Sequence, residues 1–113
     1  MGRLDATLRA ARALVQVQTE KQWRRALDGT LDNKADLAEG LQGSAWVHAA
    51  CTDIVSGCYT LGGSSSIMNA SPLQRRLRDI HAARQHFFAH ERYYAAAGKN
   101  VLGFPPVDPI SGQ

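Results

Sequence analysis

Apolar residues near the start of the chain recur with the period of an α-helix. The series runs Leu4, Leu8, Ala11 and Val15, which places these side chains on one face of a helix. The same period continues towards Asp28, and Gly29 and the polar residues after it interrupt the pattern. We therefore predict a first helix that ends near Asp28, either as one element or as two joined near Gln18.

A second helix is predicted after this polar interruption. Asp32 or Asn33 can accept a hydrogen bond from the free amides of its first turn, and its apolar residues continue to Leu61. The segment also contains Gly40, Gly43 and Gly57, and each glycine costs about 1 kcal/mol relative to alanine inside a helix. Either close tertiary packing is thus expected to stabilise this helix, or its start is irregular.

The start of a third helix is marked by Ser71-Pro72-Leu73-Gln74. Ser71 can be the N-cap, Pro72 suits the first helical position, and Gln74 can complete a capping box. The helix is predicted to extend from Pro72 to about Ala97, with Gly98 as its C-terminal cap.

These three long helices predict an all-α fold, an antiparallel helical bundle over residues 1–103 followed by an extended, proline-rich tail over residues 104–113. Because apolar and small residues occur on more than one helical face, a fourth helix would complete the packing. We expect another segment or another copy of the chain to supply that helix, so a homo-oligomer, dimer or tetramer, is predicted.

Composition narrows the classes of function. With 113 residues, 44% of them hydrophobic and a net charge of +3, the chain fits one small globular domain. Its basic residues are spread out, apart from Arg75, Arg76 and Arg78, which argues against nucleic-acid binding. No segment approaches the ~20 apolar residues of a membrane span, and a cytoplasmic location is predicted. Cys51 and Cys58 lie ~10 Å apart along one helix, too far for a disulfide.

One stretch resembles a known family. It consists of a Gly-Gly loop, a Ser-Pro-Leu-Gln-Arg helix start and an Arg-Asp-x-His-x-Ala-x-x-His run, within residues 62–86. This combination is similar to the region near the C-terminus of acyl-CoA dehydrogenase-like flavoproteins, particularly the branch that contains flavin-dependent aromatic monooxygenases. The resemblance covers most of the chain from Asn33 onwards and extends more loosely back to Leu4.

The resemblance implies a flavin, FAD or reduced FMN, bound beside the loop in the complete family enzyme. For this chain alone, the alternative is that it binds no cofactor. The loop residues are Gly62, Gly63, Ser64, Ser65 and Ser66. Glycine allows close approach of a ligand to the backbone, and the amides and hydroxyls can donate hydrogen bonds. From the residues alone, a helix-terminating loop with serines exposed to water is the alternative interpretation.

The family resemblance also indicates His86 as the candidate catalytic residue. A neutral imidazole can accept a phenolic proton near pH 7, and a hydrogen-bonded interior histidine is the alternative.

His86 and His90 are four residues apart on the predicted third helix, but no carboxylate-rich helix would complete a metal site, so no metal is predicted. Five aromatic residues are predicted to be core or subunit-interface groups: Trp23, Trp46, Tyr59, Phe87 and Phe88.

Three interpretations of function follow. In the first, the chain is the C-terminal part of a flavin-dependent oxidoreductase of the monooxygenase or acyl-CoA dehydrogenase type. It supplies oligomer contacts and part of a flavin and substrate site, and its partner is a larger flavoprotein subunit. Alternatively, it is a stand-alone, non-catalytic helical oligomerisation module. A third interpretation is a small bundle recruited to another reaction on a hydrophobic metabolite. Family members carry further domains that this sequence lacks, so whether the chain alone is an enzyme stays open.

Overall fold

The computed structural model describes residues 1–63, 72–86, 89–106 and 108–110. Over these residues the chain forms four helices, α1 (Gly2–Asp28), α2 (Lys34–Leu61), α3 (Pro72–Ala83) and α4 (Arg92–Val101). The all-α prediction is confirmed, and α1 is one continuous helix. No helix in the described ranges is long and apolar enough to cross a bilayer.

Helix α2 is central, since α1, α3 and α4 all pack against it. Asn33 caps α2, because its side chain accepts hydrogen bonds from the amides of Ala35 and Asp36 at 3.1 and 3.2 Å. At the other end, a Cβ atom on Gly57 would lie 2.7 Å from Cδ2 of Leu4. The predicted close packing of this glycine-rich helix is therefore confirmed at Gly57, where only a hydrogen atom leaves room for the buried Leu4.

Helices α1 and α2 are antiparallel. Leu4, near the start of α1, contacts Gly57 near the end of α2. Near the opposite ends, a guanidinium nitrogen of Arg25 lies 3.1 Å from a carboxylate oxygen of Asp36. These contacts fix the register of the two helices over almost their full length.

An ion-pair cluster joins the two helices. Lys21 Nζ donates to Glu39 Oε1 at 2.8 Å, and Gln18 Nε2 donates to the same oxygen at 2.9 Å. Arg25 lies 3.7 Å from the other oxygen of Glu39. The hydrogen bond from Lys21 and that from Gln18 hold the pKa of the Glu39 carboxyl below its ordinary value, while burial opposes this shift.

We expect the free energy of unfolding to fall as the pH is lowered through the depressed pKa of Glu39. Because that pKa is lowered by folding, its stabilising contribution is present above the ordinary value of 4.5 and disappears on protonation. The side chain of Glu39 is 35% exposed, so solvent screening limits the effect to below about 1 kcal/mol. Glu39→Gln should flatten the pH dependence of urea unfolding between neutral pH and pH ~3.

Glu20→Gln is the matched control. Glu20 pairs at 2.7 Å with Arg24 of the same helix, and both side chains are well exposed. Its loss should leave the pH dependence nearly unchanged. Equal curves for Glu39→Gln and the unmodified chain would show that the cluster does not stabilise the α1–α2 contact.

The third predicted helix is in fact two helices. Leu73, Leu77 and Ile80 of α3 are half-buried, whereas the buried positions after it are Ala89, Tyr93 and Ala97. In one continuous helix Tyr93 would lie about 220° around the axis from Ile80, so the two apolar faces could not both reach α2. The interruption after Ala83 rotates α4 and allows both faces to pack.

The predicted end of this region was also wrong. Gly98 lies inside α4, which continues to Val101 with Leu102 as its C-cap. The last turn is closed by the amide of Phe104, which donates to the carbonyl of Lys99 at 3.0 Å, and Gly103 has a positive φ of 85°. Gly103, not Gly98, is the glycine that the helix end requires. Ser71, the predicted N-cap of α3, lies outside the described residues.

The helices form an elongated body with large apolar side chains at its surface. Its radius of gyration is 16.8 Å, whereas a compact domain of this length has about 13 Å. Helix α1 buries only Leu4 and Ala11, and Trp23 and Leu27 are 66% and 69% exposed. The apolar surface of α1 is therefore far larger than its contact with α2 can cover.

Candidate functional site

The C-terminal end of α2 carries the two described residues of the predicted Gly-Gly-Ser loop. The amide of Gly62 donates to the carbonyl of Cys58 at 3.0 Å, so this amide terminates α2. Gly63 has a positive φ of 58°, and no atom of the described residues lies within 4 Å of a Cβ atom placed on it. Among the described residues, no side chain therefore covers the backbone at Gly63, where glycine permits close approach of another group. Ser64, Ser65 and Ser66 lie outside the described residues.

His86 lies in the turn between α3 and α4. Its amide donates to the carbonyl of Ala83 at 3.0 Å, and its carbonyl accepts from the amide of Ala89 at 3.0 Å. The side chain is exposed, so the interpretation of His86 as an interior histidine is wrong for this chain. His86 also does not share a helical face with His90, because the helix ends at Ala83.

His90 has a local structural contact of its own. Its Nδ1 accepts a hydrogen bond at 3.0 Å from the amide of Arg92, the first residue of α4. Within the described ranges, no group of three histidine, cysteine or acidic side chains is arranged to hold a metal ion.

Gly63 and the start of α4 lie at different levels of the bundle. Tyr94 lines a cavity with Gln42 and Trp46, and the side chain of Asn100 donates to the carbonyl of Ala35 at 3.5 Å, so α4 runs antiparallel to α2. Trp46 and Gly62 are separated by ~24 Å along α2. The level of Tyr94 on α2 thus lies far from the loop, and His86 precedes the first residue of α4 by six residues.

A long groove lies between α1 and α2, and we call it the α1–α2 groove. It comprises two cavities of about 340 and 270 Å³ that share Gln22, Gly40 and Ser44 as lining residues. Apolar side chains at its ends include Val15 and Val47 at one end and Leu31 and Leu37 at the other. Neither Gly63 nor His86 lines this groove, which is thus distinct from the predicted site.

Sequence reasoning missed both this groove and the ion-pair cluster that closes its polar side. A signal for the cluster is present in the sequence: Lys21 and Arg25 are four residues apart, and Asp36 and Glu39 three apart, on consecutive antiparallel helices. Trp23 and Trp46 are 66% and 38% exposed, so neither is a core residue of this chain, and their role at an interface stays a prediction.

A known domain family matches most of this sequence. Residues 1–91 match the model of the acyl-CoA dehydrogenase C-terminal domain, and the chain belongs to this family.

Among characterised proteins, the chain is 30% identical over 109 residues to an indole-3-acetate monooxygenase of Pseudomonas putida, covering 95% of this chain and 28% of that protein. It is 27% identical over 111 residues to a pigment production hydroxylase of Rhodococcus erythropolis, covering 97% and 28%. It is also 32% identical over 103 residues to the oxygenase component of a p-hydroxyphenylacetate 3-hydroxylase of Acinetobacter baumannii, covering 88% and 24%. The chain thus spans about a quarter of the length of these relatives. The comparison with solved structures gives no significant match.

Proposed function

We propose that this chain acts as the C-terminal helical part of a flavin-dependent aromatic monooxygenase. The observation that carries the proposal is the family match over residues 1–91, which contains the Gly62–Gly63 loop and His86, together with relatives that are a monooxygenase and two hydroxylases. Two of these relatives are named for aromatic acids, indole-3-acetate and p-hydroxyphenylacetate, so an aromatic acid or phenol is the proposed substrate class.

The chain's own residues would contribute one edge of the cofactor site. Flavin, when bound, would supply the activation of oxygen. Gly63 fits such a role, since its positive-φ backbone has no side chain of the described residues over it and glycine permits a planar or phosphorylated ligand to approach closely. The amide of Gly62 is already used within α2, so its contribution would be close approach, not hydrogen-bond donation.

His86 would hold and transfer a proton. Its exposed imidazole can face a substrate supplied by another part of the enzyme, and removal of a phenolic proton makes an aromatic ring richer in electrons. The remaining walls of the site would come from other domains or other subunits. A pocket that covers most of its ligand is the usual requirement for tight binding.

Self-association is the second part of this proposal. The exposed apolar side chains of α1 and the elongated shape of the chain favour assembly into a dimer or tetramer. A larger flavoprotein subunit is the partner that would supply the missing part of the flavin pocket.

The first test is flavin retention by the purified chain, alone and mixed with a larger subunit of the same enzyme class. After incubation with FMN or FAD and removal of free ligand, we expect little flavin on the chain alone and near one flavin per assembled site on the mixture. Near-stoichiometric flavin on the chain alone would show that self-association builds the pocket. Absence of flavin in both samples would contradict the proposal and favour a non-catalytic oligomerisation module.

Gly63→Ala provides a specific control within this test. Alanine at a φ of 58° is strained, so the variant should weaken flavin retention by the assembled protein. Gly103→Ala introduces the same kind of strain at a φ of 85° but outside the proposed site, and its flavin content should stay at the level of the unmodified protein.

A further inference from the structure

A polar cavity lies beside the turn that joins α3 to α4, and we call it the turn cavity. Its volume is about 290 Å³. It is lined by residues from the end of α3, from the turn and from the positions just before α4: His81, Arg84, Gln85, Ala89, His90 and Glu91. All of these side chains except that of Ala89 can donate or accept hydrogen bonds, so the cavity suits a small charged or polar group.

Backbone hydrogen bonds hold Arg84 in place at the end of α3. The helix ends at Ala83, and the amide of Arg84 still donates to the carbonyl of Ile80 at 3.0 Å, which continues the helical pattern by one residue. The next amide, that of Gln85, donates to the carbonyl of Ala82 at 3.1 Å, as in the tighter last turn of many helices. The backbone that carries the Arg84 guanidinium is therefore well defined.

Glu91 is the acidic residue of the turn cavity. One of its carboxylate oxygens lies 4.0 Å from a guanidinium nitrogen of Arg84, which is too long for a hydrogen bond. The Glu91 side chain is 80% exposed, and exposed ion pairs contribute little. Arg84 thus has a weak partner in Glu91, whereas a better placed carboxylate would accept two parallel hydrogen bonds from its planar N–H groups.

His90 adds a second donor to the cavity. Its Nδ1 accepts a hydrogen bond from the amide of Arg92 at 3.0 Å, so this nitrogen carries no proton. The proton of the neutral ring is then on Nε2, which is a hydrogen-bond donor. Arg84 and His90 together bring a cation and a neutral donor to one cavity, and this combination suits a carboxylate.

The turn cavity is close to the proposed general base. Arg84 precedes His86 by two residues, so their Cα atoms are at most ~7.6 Å apart. His86 belongs to the same turn, since its amide donates to the carbonyl of Ala83, but it does not line the cavity. A small molecule with a carboxylate at one end and a phenol at the other can therefore place its acid group at Arg84 and its hydroxyl near His86.

We propose that Arg84 binds the carboxylate of an aromatic acid substrate in the turn cavity, and that Glu91 competes with this carboxylate for the guanidinium. The inference rests on the proposed function, because it assigns the acid group of the substrate to residues beside His86. Binding exchanges the 4.0 Å contact with Glu91 for charge-assisted hydrogen bonds to the ligand. Arg84 is then the residue that distinguishes an aromatic acid from a neutral phenol.

The test is NMR titration of the purified chain with p-hydroxyphenylacetate and with p-cresol, a neutral phenol of similar shape. We expect the acid to shift the resonances of the Arg84 guanidinium and the His90 ring. Its dissociation constant should rise about tenfold in Arg84→Gln, as for the loss of a hydrogen bond to a charged group. It should fall about two- to fivefold in Glu91→Gln, the size of an exposed ion pair. Neither substitution should change the binding of p-cresol.

Arg75 and Asp79 supply the matched controls. They form an exposed ion pair of 3.9 Å on α3 and do not line the turn cavity. Arg75→Gln matches the charge change of Arg84→Gln. Asp79→Asn matches that of Glu91→Gln. Both controls should leave the dissociation constant of the acid unchanged, and circular dichroism checks that each variant keeps its helices.

Three results would overturn parts of this inference. If up to ~10 mM acid shifts neither Arg84 nor His90, or if Arg75→Gln weakens binding as much as Arg84→Gln, the turn cavity is not a carboxylate site. If the constant does not fall in Glu91→Gln, Glu91 is not a competitor.

The proposed function is tested separately from this site. If the acid binds at Arg84 but neither the chain nor its mixture with a larger subunit retains flavin, the carboxylate site stands and the proposed function fails. If an assembled enzyme hydroxylates the acid and Arg84→Gln leaves its KM unchanged, the proposed function stands and the role of Arg84 is overturned.

Discussion

His86→Ala is expected to lower aromatic hydroxylation by an assembled enzyme containing this chain by about 10²- to 10⁴-fold, the usual contribution of a general acid or base. The proposed role of His86 is to accept a proton from the substrate. The loss should therefore appear in kcat, and flavin retention should be unaffected. Single-turnover measurements with the assembled enzyme and a phenolic substrate give the rate of the hydroxylation step.

Stability is the readout that separates a catalytic from a structural role for His86. Because its side chain is exposed, the substitution should change the free energy of unfolding by no more than ~0.5 kcal/mol. His81→Ala is the matched control: His81 is also exposed and lies in α3, five residues earlier. It should change neither activity nor stability. A stability loss without a loss of activity in His86→Ala would remove His86 from the proposed mechanism.

The largest loss of stability is expected for Tyr93→Ala. Tyr93 is 0% exposed and is the largest fully buried side chain of the described residues. Truncating a buried aromatic residue costs about 3–5 kcal/mol, a large fraction of the 5–15 kcal/mol that stabilises an ordinary domain. Urea unfolding followed by circular dichroism should show this loss, together with a lower helical signal if α4 detaches from α2.

Tyr93→Phe and Tyr94→Ala show whether burial is the cause. The hydroxyl of Tyr93 accepts a hydrogen bond of 3.1 Å from Arg92, so Tyr93→Phe should cost only about 0.5–1.5 kcal/mol. Tyr94 is 36% exposed and should tolerate truncation better than Tyr93. A cost below about 1.5 kcal/mol for Tyr93→Ala would mean that α4 contributes little to the core.

Much of the fold could be predicted from local sequence signals. The end of α1 at Asp28, the cap at Asn33 and the end of α2 at Leu61 follow from residue types that act within one or two helical turns. The family match could likewise be predicted, because the motifs in residues 62–86 lie close together in the chain.

The division of the third predicted helix has no local signal of this kind. Residues 84–91 contain neither glycine nor proline, and helix propensity alone favours a continuous helix. In a continuous helix, the apolar residues around Ile80 and those around Tyr93 would lie on different sides of the helix axis, and this can be seen in the sequence. It indicates a break in the helix only when both sets of residues must pack on the same neighbour, α2.

The sequence by itself determined the helical class, the family and the residues proposed for chemistry, since short-range periodicity, capping and motifs record these directly. Tertiary structure alone decided the exposure of His86, the α1–α2 groove and the presence of Ile110 among the residues that line it. Each of these depends on which helical faces meet and at what register. Such contacts join residues far apart in the chain, and no local pattern specifies them.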